Sequence, residues 1–326
     1  MSLPPRPELA IEAQDVSLRF GPGAGVFDLN MRVPAGSIVG MIGPSGCGKT
    51  TTVRLMLGLY APHEGSLRVL GRAPASFRAA DRERIGYIPQ QFVLYPNLTV
   101  AENIHFVAAL YGMPDWAREQ RLTHLLRFVD MAEAYHRLGS QLSGGMQRRL
   151  MLAGALMHDP DLIFADEPTA GIDPVLRGRF WEYFRNLRDQ GRTLFVTTQY
   201  VGEAAYCDYV AVMRRGRLIA VDTPEGLRRT ALGGEVIALT MDSVHVARAA
   251  ELLRRHPAVR GVHQMPERDD LLHVYVDDAA AQLPGILNTI EYALEIIVHR
   301  AQEHKPSYDD VFITLMERDE ALKDER

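Results

Sequence analysis

The 326-residue chain predicts an α/β fold in which a mixed sheet surrounds a phosphate-binding loop, followed by a small α+β domain. Three observations predict it. The string Gly43-Pro44-Ser45-Gly46-Cys47-Gly48-Lys49-Thr50 has GxxxxGKT spacing and stands between an apolar run, residues 39–42, and a helix-compatible run, residues 51–57. Short apolar runs of the buried parallel-strand kind then alternate with segments of helical spacing. Past Gly233-Gly234 the texture changes to an independent βαββαβ order, the signature of a ferredoxin-like domain.

Each element follows from local pattern. Alternating apolar residues over 9–19 (Ile11, Ala13, Val16, Leu18) predict a strand; a Gly/Pro-rich turn at 21–25 and a second strand at 27–33 follow. In the phosphate loop the glycines let backbone N–H groups face a polyphosphate, and the next helix adds the positive end of its dipole. Lys49 reaches the β- and γ-phosphates, and the Thr50 hydroxyl is a Mg²⁺ ligand. A nucleoside triphosphate is therefore the expected ligand. Short strands follow at 66–70 and 85–88, then helical spacing over 100–137, within a helical subdomain of about 91–160. Buried strands at 162–165 and 193–197 flank a helix at 174–190. A hairpin turns at Arg215-Gly216. Beyond it come a strand at 235–242, a helix at 244–256, strands at 259–265 and 271–276, a helix at 279–293, a strand at 295–300 and a helix at 307–317. The predicted domains are 8–232 and 235–326.

Bulk properties narrow the function. Forty-one acidic and thirty-six basic residues give a net charge of −5 without a long basic run, which argues against a nucleic-acid-binding protein. Two cysteines cannot make a disulfide framework, so a reducing cytosol is expected. The proline-rich opening lacks an apolar signal core, and no run of about eighteen apolar residues is present, so a soluble protein is expected. The scattered histidines have no ligand spacing, Asp309 and Asp310 read as helix N-terminal charges, and Arg78, Arg82 and Arg84 as a solvated face.

Two further strings carry chemistry. Leu162-Ile163-Phe164-Ala165-Asp166-Glu167 places two carboxylates at the end of a buried strand, where open α/β sheets present ligands. Asp166 is placed to hold the Mg²⁺ shell, and Glu167 to polarise an attacking water as general base. Leu142-Ser143-Gly144-Gly145-Met146-Gln147 precedes an apolar helix beginning near Met146, a second unobstructed helix N-terminus suited to an anion.

With these motifs in this order, residues 8–230 resemble the nucleotide-binding subunit of an ATP-binding cassette (ABC) transporter, a P-loop NTPase. The resemblance implies two cassettes, identical or different, facing head to tail around ATP and Mg²⁺. Gly43, Pro44, Ser45, Gly46, Cys47, Gly48, Lys49, Thr50 and Thr51 of one would bind the phosphates; Ser143, Gly144 and Gly145 of the other would reach the γ-phosphate. Met146 stands where the family often has Gln. Phe20 matches the aromatic that stacks on adenine, or else is a strand-end core residue. Gln90, in Tyr87-Ile88-Pro89-Gln90, matches the glutamine joining the Mg²⁺ site to the helical subdomain. Leu94-Tyr95-Pro96-Asn97-Leu98-Thr99-Val100 resembles the segment that meets a membrane permease, and Ala170-Gly171-Ile172-Asp173 the loop that communicates between the two sites.

One departure matters. Thr197-Thr198-Gln199-Tyr200 has Gln199 where the family usually has a histidine contacting the γ-phosphate. An amide donates a hydrogen bond but carries no proton, so slow but real hydrolysis is expected. Similar strings, together with Pro306-Ser307-Tyr308-Asp309-Asp310-Val311-Phe312 and a βαββαβ appendage, resemble the drug-resistance branch of daunorubicin exporters. The implied protein is an ATPase peripheral on the cytoplasmic face of the membrane. It would power a separate permease of the ABC-2 type that exports drugs, lipids or other hydrophobic compounds. The alternatives are a non-transport ATPase acting on nucleic acid or ribosomes and a low-activity nucleotide sensor. The former lacks support in one phosphate loop, two cysteines and no sustained heptad run; the latter is favoured by Gln199 and disfavoured by Glu167.

Overall fold

The computed structural model describes residues 8–264 and 268–324. The chain divides into two compact units, one up to Val221 and one from Asp222 on. In chain order the first contains β1 (Leu9–Gly21), β2 (Ala24–Pro34), β3 (Ile38–Ile42), α1 (Lys49–Met56), β4 (Glu64–Val69), α2 (Ala79–Arg82), β5 (Ile85–Ile88), α3 (Val100–Leu110), α4 (Asp115–Phe128), α5 (Gly144–Ala155), β6 (Leu162–Asp166), α6 (Pro174–Asp189), β7 (Thr193–Thr198), β8 (Tyr209–Arg214) and β9 (Arg217–Asp222).

Two sheets organise this unit. An antiparallel sheet has the order β2-β1-β4, and a six-stranded sheet the order β5-β6-β7-β3-β8-β9. In the second sheet β5, β6, β7, β3 and β8 pair in parallel. All residues of β3, β6 and β7 are buried, as strands covered on both faces must be. Because β5, β6, β7 and β3 are parallel neighbours, the loops that follow all four leave the sheet at one end, where such sheets bind ligands.

The helical spacing over 100–137 resolves into two α-helices, α3 and α4. A capping box in which Thr99 and Glu102 exchange hydrogen bonds starts α3. Gly112 at φ 65 and Pro114 at the N-cap of α4 break the run, because an L-residue resists the first conformation and proline cannot continue a helix. Buried Asn103 fixes the preceding loop: its Oδ1 accepts from Tyr95 N at 2.7 Å, and its Nδ2 donates to Tyr95 O and Leu98 O. Arg84 is not part of a solvated face. It pairs with Asp161 at 2.7 Å, both side chains largely buried.

The second unit contains α7 (Pro224–Leu232), β10 (Glu235–Met241), α8 (Ser243–Leu253), β11 (Val259–Gln264), β12 (Leu271–Val276), α9 (Ala279–Leu294), β13 (Val298–His304) and α10 (Tyr308–Asp324). The antiparallel order β11-β12-β10-β13 is the split-βαβ arrangement of a ferredoxin-like domain. Ile237, Leu239, Leu272 and Val274 form one core with Val246 and Leu253 of α8 and Ile286 and Ile290 of α9. The final strand begins later than its sequence indicates, because α9 runs to Leu294 and ends with Glu295 in the left-handed conformation. Met265, expected at the end of the third element, lies outside the described residues. Asp310 accepts from Ser307 N and Oγ while Ser307 Oγ accepts from Asp310 N, which closes the N-terminus of α10.

Candidate functional site

The loop after β3 is built to expose backbone donors. Gly46 and Gly48 take φ values of 77 and 114, where a side chain is strained. Gly48 is the N-cap of α1 and offers no side-chain acceptor, so the first-turn N–H groups, those of Lys49, Thr50 and half-buried Thr51, face an anion uncapped. A Cβ on Gly46 would meet nothing within 4 Å, which leaves the loop backbone accessible. The other side of the loop is braced. Gly216 N donates to Cys47 O at 2.8 Å, Gly216 O accepts from Phe27 N at 2.8 Å, and a Cβ on Gly48 would reach Met213 Cε at 2.8 Å. Cys47 is buried beside Gly43, and burial pushes its thiol pKa up against the opposing charge of Lys49, so it stays protonated at neutral pH.

Charged groups converge on this loop from its parallel neighbours. Lys49 Nζ donates to Gly43 O at 2.8 Å and to Pro44 O at 3.2 Å, and lies 3.2 Å from Glu167 Oε1. Gln90 Nε2 donates to Glu167 Oε2 at 3.0 Å. The general-base candidate is thus held on both oxygens. Thr50 Oγ1 donates to Asp166 Oδ1 at 3.2 Å, and Ser45 Oγ donates to Gln199 Oε1 at 3.0 Å. Phosphate loop, both carboxylates, Gln90 and Gln199 therefore form one constellation.

Ser143, Gly144 and Gly145 belong to a different surface. Ser143 caps α5, its Oγ accepting from Met146 N, so the helix starts at Gly144, two residues ahead of the sequence expectation. The three line a groove of about 490 Å³ with Gly171, Ile172 and Asp173. A Cβ on Gly144 would meet nothing within 4 Å, so the helix end is open. Phe20 is 58% exposed and meets Tyr60 edge-on at 5.4 Å, which is not a core position.

Two functional groups escape sequence reasoning. Thr197, fully buried on β7, donates from Oγ1 to Asp166 Oδ1 at 2.5 Å and accepts there from Glu167 N at 3.0 Å. It thereby orients both carboxylates, and Glu167 takes a φ of 48, unusual for a non-glycine residue. Only the pairing of β6 with β7 reveals this role. Arg148 of α5 donates to Gln90 O, linking the helix that Ser143 caps to the loop that carries Gln90. Burial lowers its pKa, partly opposed by Glu167.

Comparison with known proteins shows which proteins the chain is similar to. A family model described as ABC transporter matches residues 26–170. The probable multidrug ABC transporter ATP-binding protein YbhF of Escherichia coli is 36% identical over 239 residues, 73% of this chain but only 41% of that protein. The Nod factor export ATP-binding protein I of Rhizobium etli is 41% identical over 232 residues, covering 71% of this chain and 73% of its own length. Among solved structures, an ATP binding subunit of an ABC transporter superposes with a TM-score of 0.62 at 29% identity, covering 68% of this chain and 92% of that one. CbiO1 from Clostridium perfringens, part of the ABC transporter complex cbiONQ, gives a TM-score of 0.63 over 68% of this chain and 91% of that one. At 24% identity it speaks for the fold alone.

Proposed function

This chain belongs to the ABC transporter family, and on that premise we propose that it is the ATP-hydrolysing subunit of a membrane exporter, working as a dimer of cassettes. The observation that carries the reading is the position of Glu167, with one carboxylate oxygen 3.2 Å from Lys49 Nζ and the other accepting from Gln90. A buried carboxylate beside a phosphate-binding lysine is where a general base for attack on a γ-phosphate belongs.

ATP would lie along residues 43–51, its adenine against the exposed face of Phe20 and its phosphates on the loop N–H groups and the first turn of α1. Lys49, leaving the loop carbonyls, would neutralise the β- and γ-phosphates. The Gln199 amide, oriented by Ser45, would donate to the γ-phosphate. Glu167 would take a proton from the attacking water as ADP leaves, giving ADP and phosphate.

The donor set also fits a magnesium ion. Thr50 and Asp166 offer one hydroxyl and one carboxylate, with the Gln90 amide nearby, and Mg²⁺ characteristically takes few protein ligands and completes its shell with phosphates and water. Bound there, it would supply charge neutralisation between the β- and γ-phosphates. Among the described residues no group of three or more His, Cys, Asp or Glu could hold a metal.

The open groove at Ser143–Gly145 lies apart from the phosphate loop, which favours a composite site completed by a second cassette, identical or different. Among the described residues no helix is long and apolar enough to cross a membrane. The transport path would belong to a separate permease, met on the cytoplasmic face by the segment around Tyr95. Relatives named for multidrug and Nod factor export favour a hydrophobic or amphipathic cargo. Nucleic acid is not an expected partner.

Glu167→Gln tests the chemistry. Turnover should fall by about a hundredfold or more while ATP still binds, and ATP should then accumulate a stable dimer in sedimentation. Unchanged turnover removes Glu167 as base. Copurification of a multi-spanning membrane protein supports the export assignment, and copurified ribosomes or DNA overturn it.

A further inference from the structure

Behind the candidate site lies a second polar cluster that the chemistry above does not use. Glu203 sits in a short 3-10 segment, Val201–Tyr206, and is 2% exposed. Its Oε1 accepts from Thr169 Oγ1 at 2.7 Å; Thr169 is fully buried and stands two residues past Glu167. Its Oε2 has no hydrogen-bond partner. Arg177 of α6 stops short of it, with Nε 3.7 Å from Oε1 and likewise without a partner. The Arg177 guanidinium lies instead over the ring of Tyr200, 4.0 Å from its centroid, and Tyr200 directly follows Gln199.

A buried carboxylate with one idle oxygen beside a partly exposed arginine whose buried Nε–H is idle is costly, because each of these atoms forgoes hydration without gaining its bond. The gap from Nε to Oε1, the oxygen that also accepts from Thr169, is short. A charge-assisted N–H···O bond spans about 2.7–2.9 Å, so a movement on the order of 1 Å would complete a bond there. The ends of this unfinished pair are informative. Glu203 is joined through Thr169 to the loop carrying Glu167 and, through its N–H bonded to Tyr200 O at 3.1 Å, to the loop carrying Gln199. Arg177 belongs to the first turns of α6, whose N-cap Asp173 and first-turn Val175 and Leu176 line the groove that Ser143 opens on. Leu176 and Gly145 are in such close approach that a Cβ on Gly145 would lie 2.5 Å from Leu176 Cδ2.

We infer that Arg177 and Glu203 form a latch that closes when a second cassette presses ATP against the Ser143 groove, so that groove and catalytic loops within one chain move as a unit. Glu203 and Arg177 are then positioning residues: neither touches substrate, and both act through Glu167 and Gln199. The inference rests on the composite-site reading above.

The test uses the full chain in a Glu167→Gln background, with ATP-driven dimerisation followed by sedimentation and ATP binding to the monomer followed separately. Glu203→Gln keeps the acceptor for Thr169 and removes the charge; Arg177→Gln changes a partly exposed side chain and serves should the buried variant fail to fold. Each is expected to weaken the ATP-driven dimer about tenfold while monomer affinity for ATP stays within about twofold, and the double variant to be no weaker than the worse single. With Glu167 restored, kcat should fall and KM hold. Dimers as tight as the parent's, or single effects that multiply in the double variant, overturn the latch alone. Failure of the parent itself to dimerise with ATP overturns the composite site and the latch together.

Discussion

Thr197→Val is the sharpest probe of how the candidate catalytic carboxylates are held. The change keeps the shape of a fully buried side chain and deletes one hydroxyl. Two bonds go with it: the 2.5 Å donation to Asp166 Oδ1 and the 3.0 Å acceptance from Glu167 N. The Glu167 N–H is not orphaned, since it also reaches Thr197 O at 3.1 Å. Asp166 keeps only the longer contact from Thr50 Oγ1 at 3.2 Å. The loss is therefore essentially one hydrogen bond to a buried charge, about 1.5–3 kcal/mol. For a domain of this size each kcal/mol moves the melting midpoint by about 2–4 °C, so the first unit should melt roughly 3–12 °C lower. Function should suffer more than stability. Glu167 holds a strained φ of 48 with its N–H clamped by both Thr197 oxygens, and releasing one would let the carboxylate drift from the water it is proposed to activate. A displacement of about 1 Å can cost up to a hundredfold in rate, so kcat should fall about ten- to hundredfold with KM nearly unchanged. Thermal unfolding and steady-state phosphate release measure the two effects, and Thr197→Ser, which restores the hydroxyl, should recover most of both. A valine variant that melts with the parent and turns over within about twofold of it would refute the reasoning.

Two further outcomes are expected. Phe20→Ala should weaken ATP binding about 5- to 150-fold, the 1–3 kcal/mol of a base-stacking contact, measured by equilibrium titration, with a smaller effect on turnover at saturation; unchanged affinity would place adenine elsewhere. In the second unit, burial lowers the pKa of His273 on β12 from 6.5 to about 4, reinforced by His304 on β13 and His263 on β11 and opposed by Asp310 of α10. The unfolded chain binds this proton near 6.5 and the folded one only near 4, so the stabilisation is complete above 6.5 and lost as pH falls toward 4. The slope approaches about 1.4 kcal/mol per pH unit. Urea midpoints followed from neutral pH downward should flatten in His273→Leu relative to the parent, and parallel curves would exclude this histidine as the source.

The sequence was legible where spacing carries physical meaning. GxxxxGKT, the two carboxylates after a buried run, and Ser-Gly-Gly before an apolar helix each impose their conformation locally. It was less legible where tertiary context decides. Helix α7 went unread although Thr223 and Pro224 are a good N-cap and first residue and Gly233 a good stop, because it is short and, among its described side chains, Leu227 and Ala231 alone make a buried apolar face. The late start of β13 reflects Glu295 in a left-handed cap, a conformation no propensity assigns to glutamate. Thr197 and Arg148 could not be found at all from spacing. One meets its carboxylates across a parallel strand pair, and the other meets Gln90 from 58 residues away.

Gln199 changes what the loop after β7 can do without changing where it is. Its Oε1 is taken by the Ser45 hydroxyl at 3.0 Å, which fixes the amide plane against the phosphate loop and leaves the NH₂ as the group offered to a developing negative charge. A histidine there would donate as well, but in its charged form it would add a cation beside Lys49, only 4% exposed, and in its neutral form would depend on tautomer. A neutral amide avoids both complications at the expense of electrostatic strength, since a charge-assisted bond is roughly twice as strong as a neutral one. On the proposed assignment proton handling would fall to Glu167 alone, and the expected outcome is slow hydrolysis, read as phosphate release by the parent chain above that of Glu167→Gln.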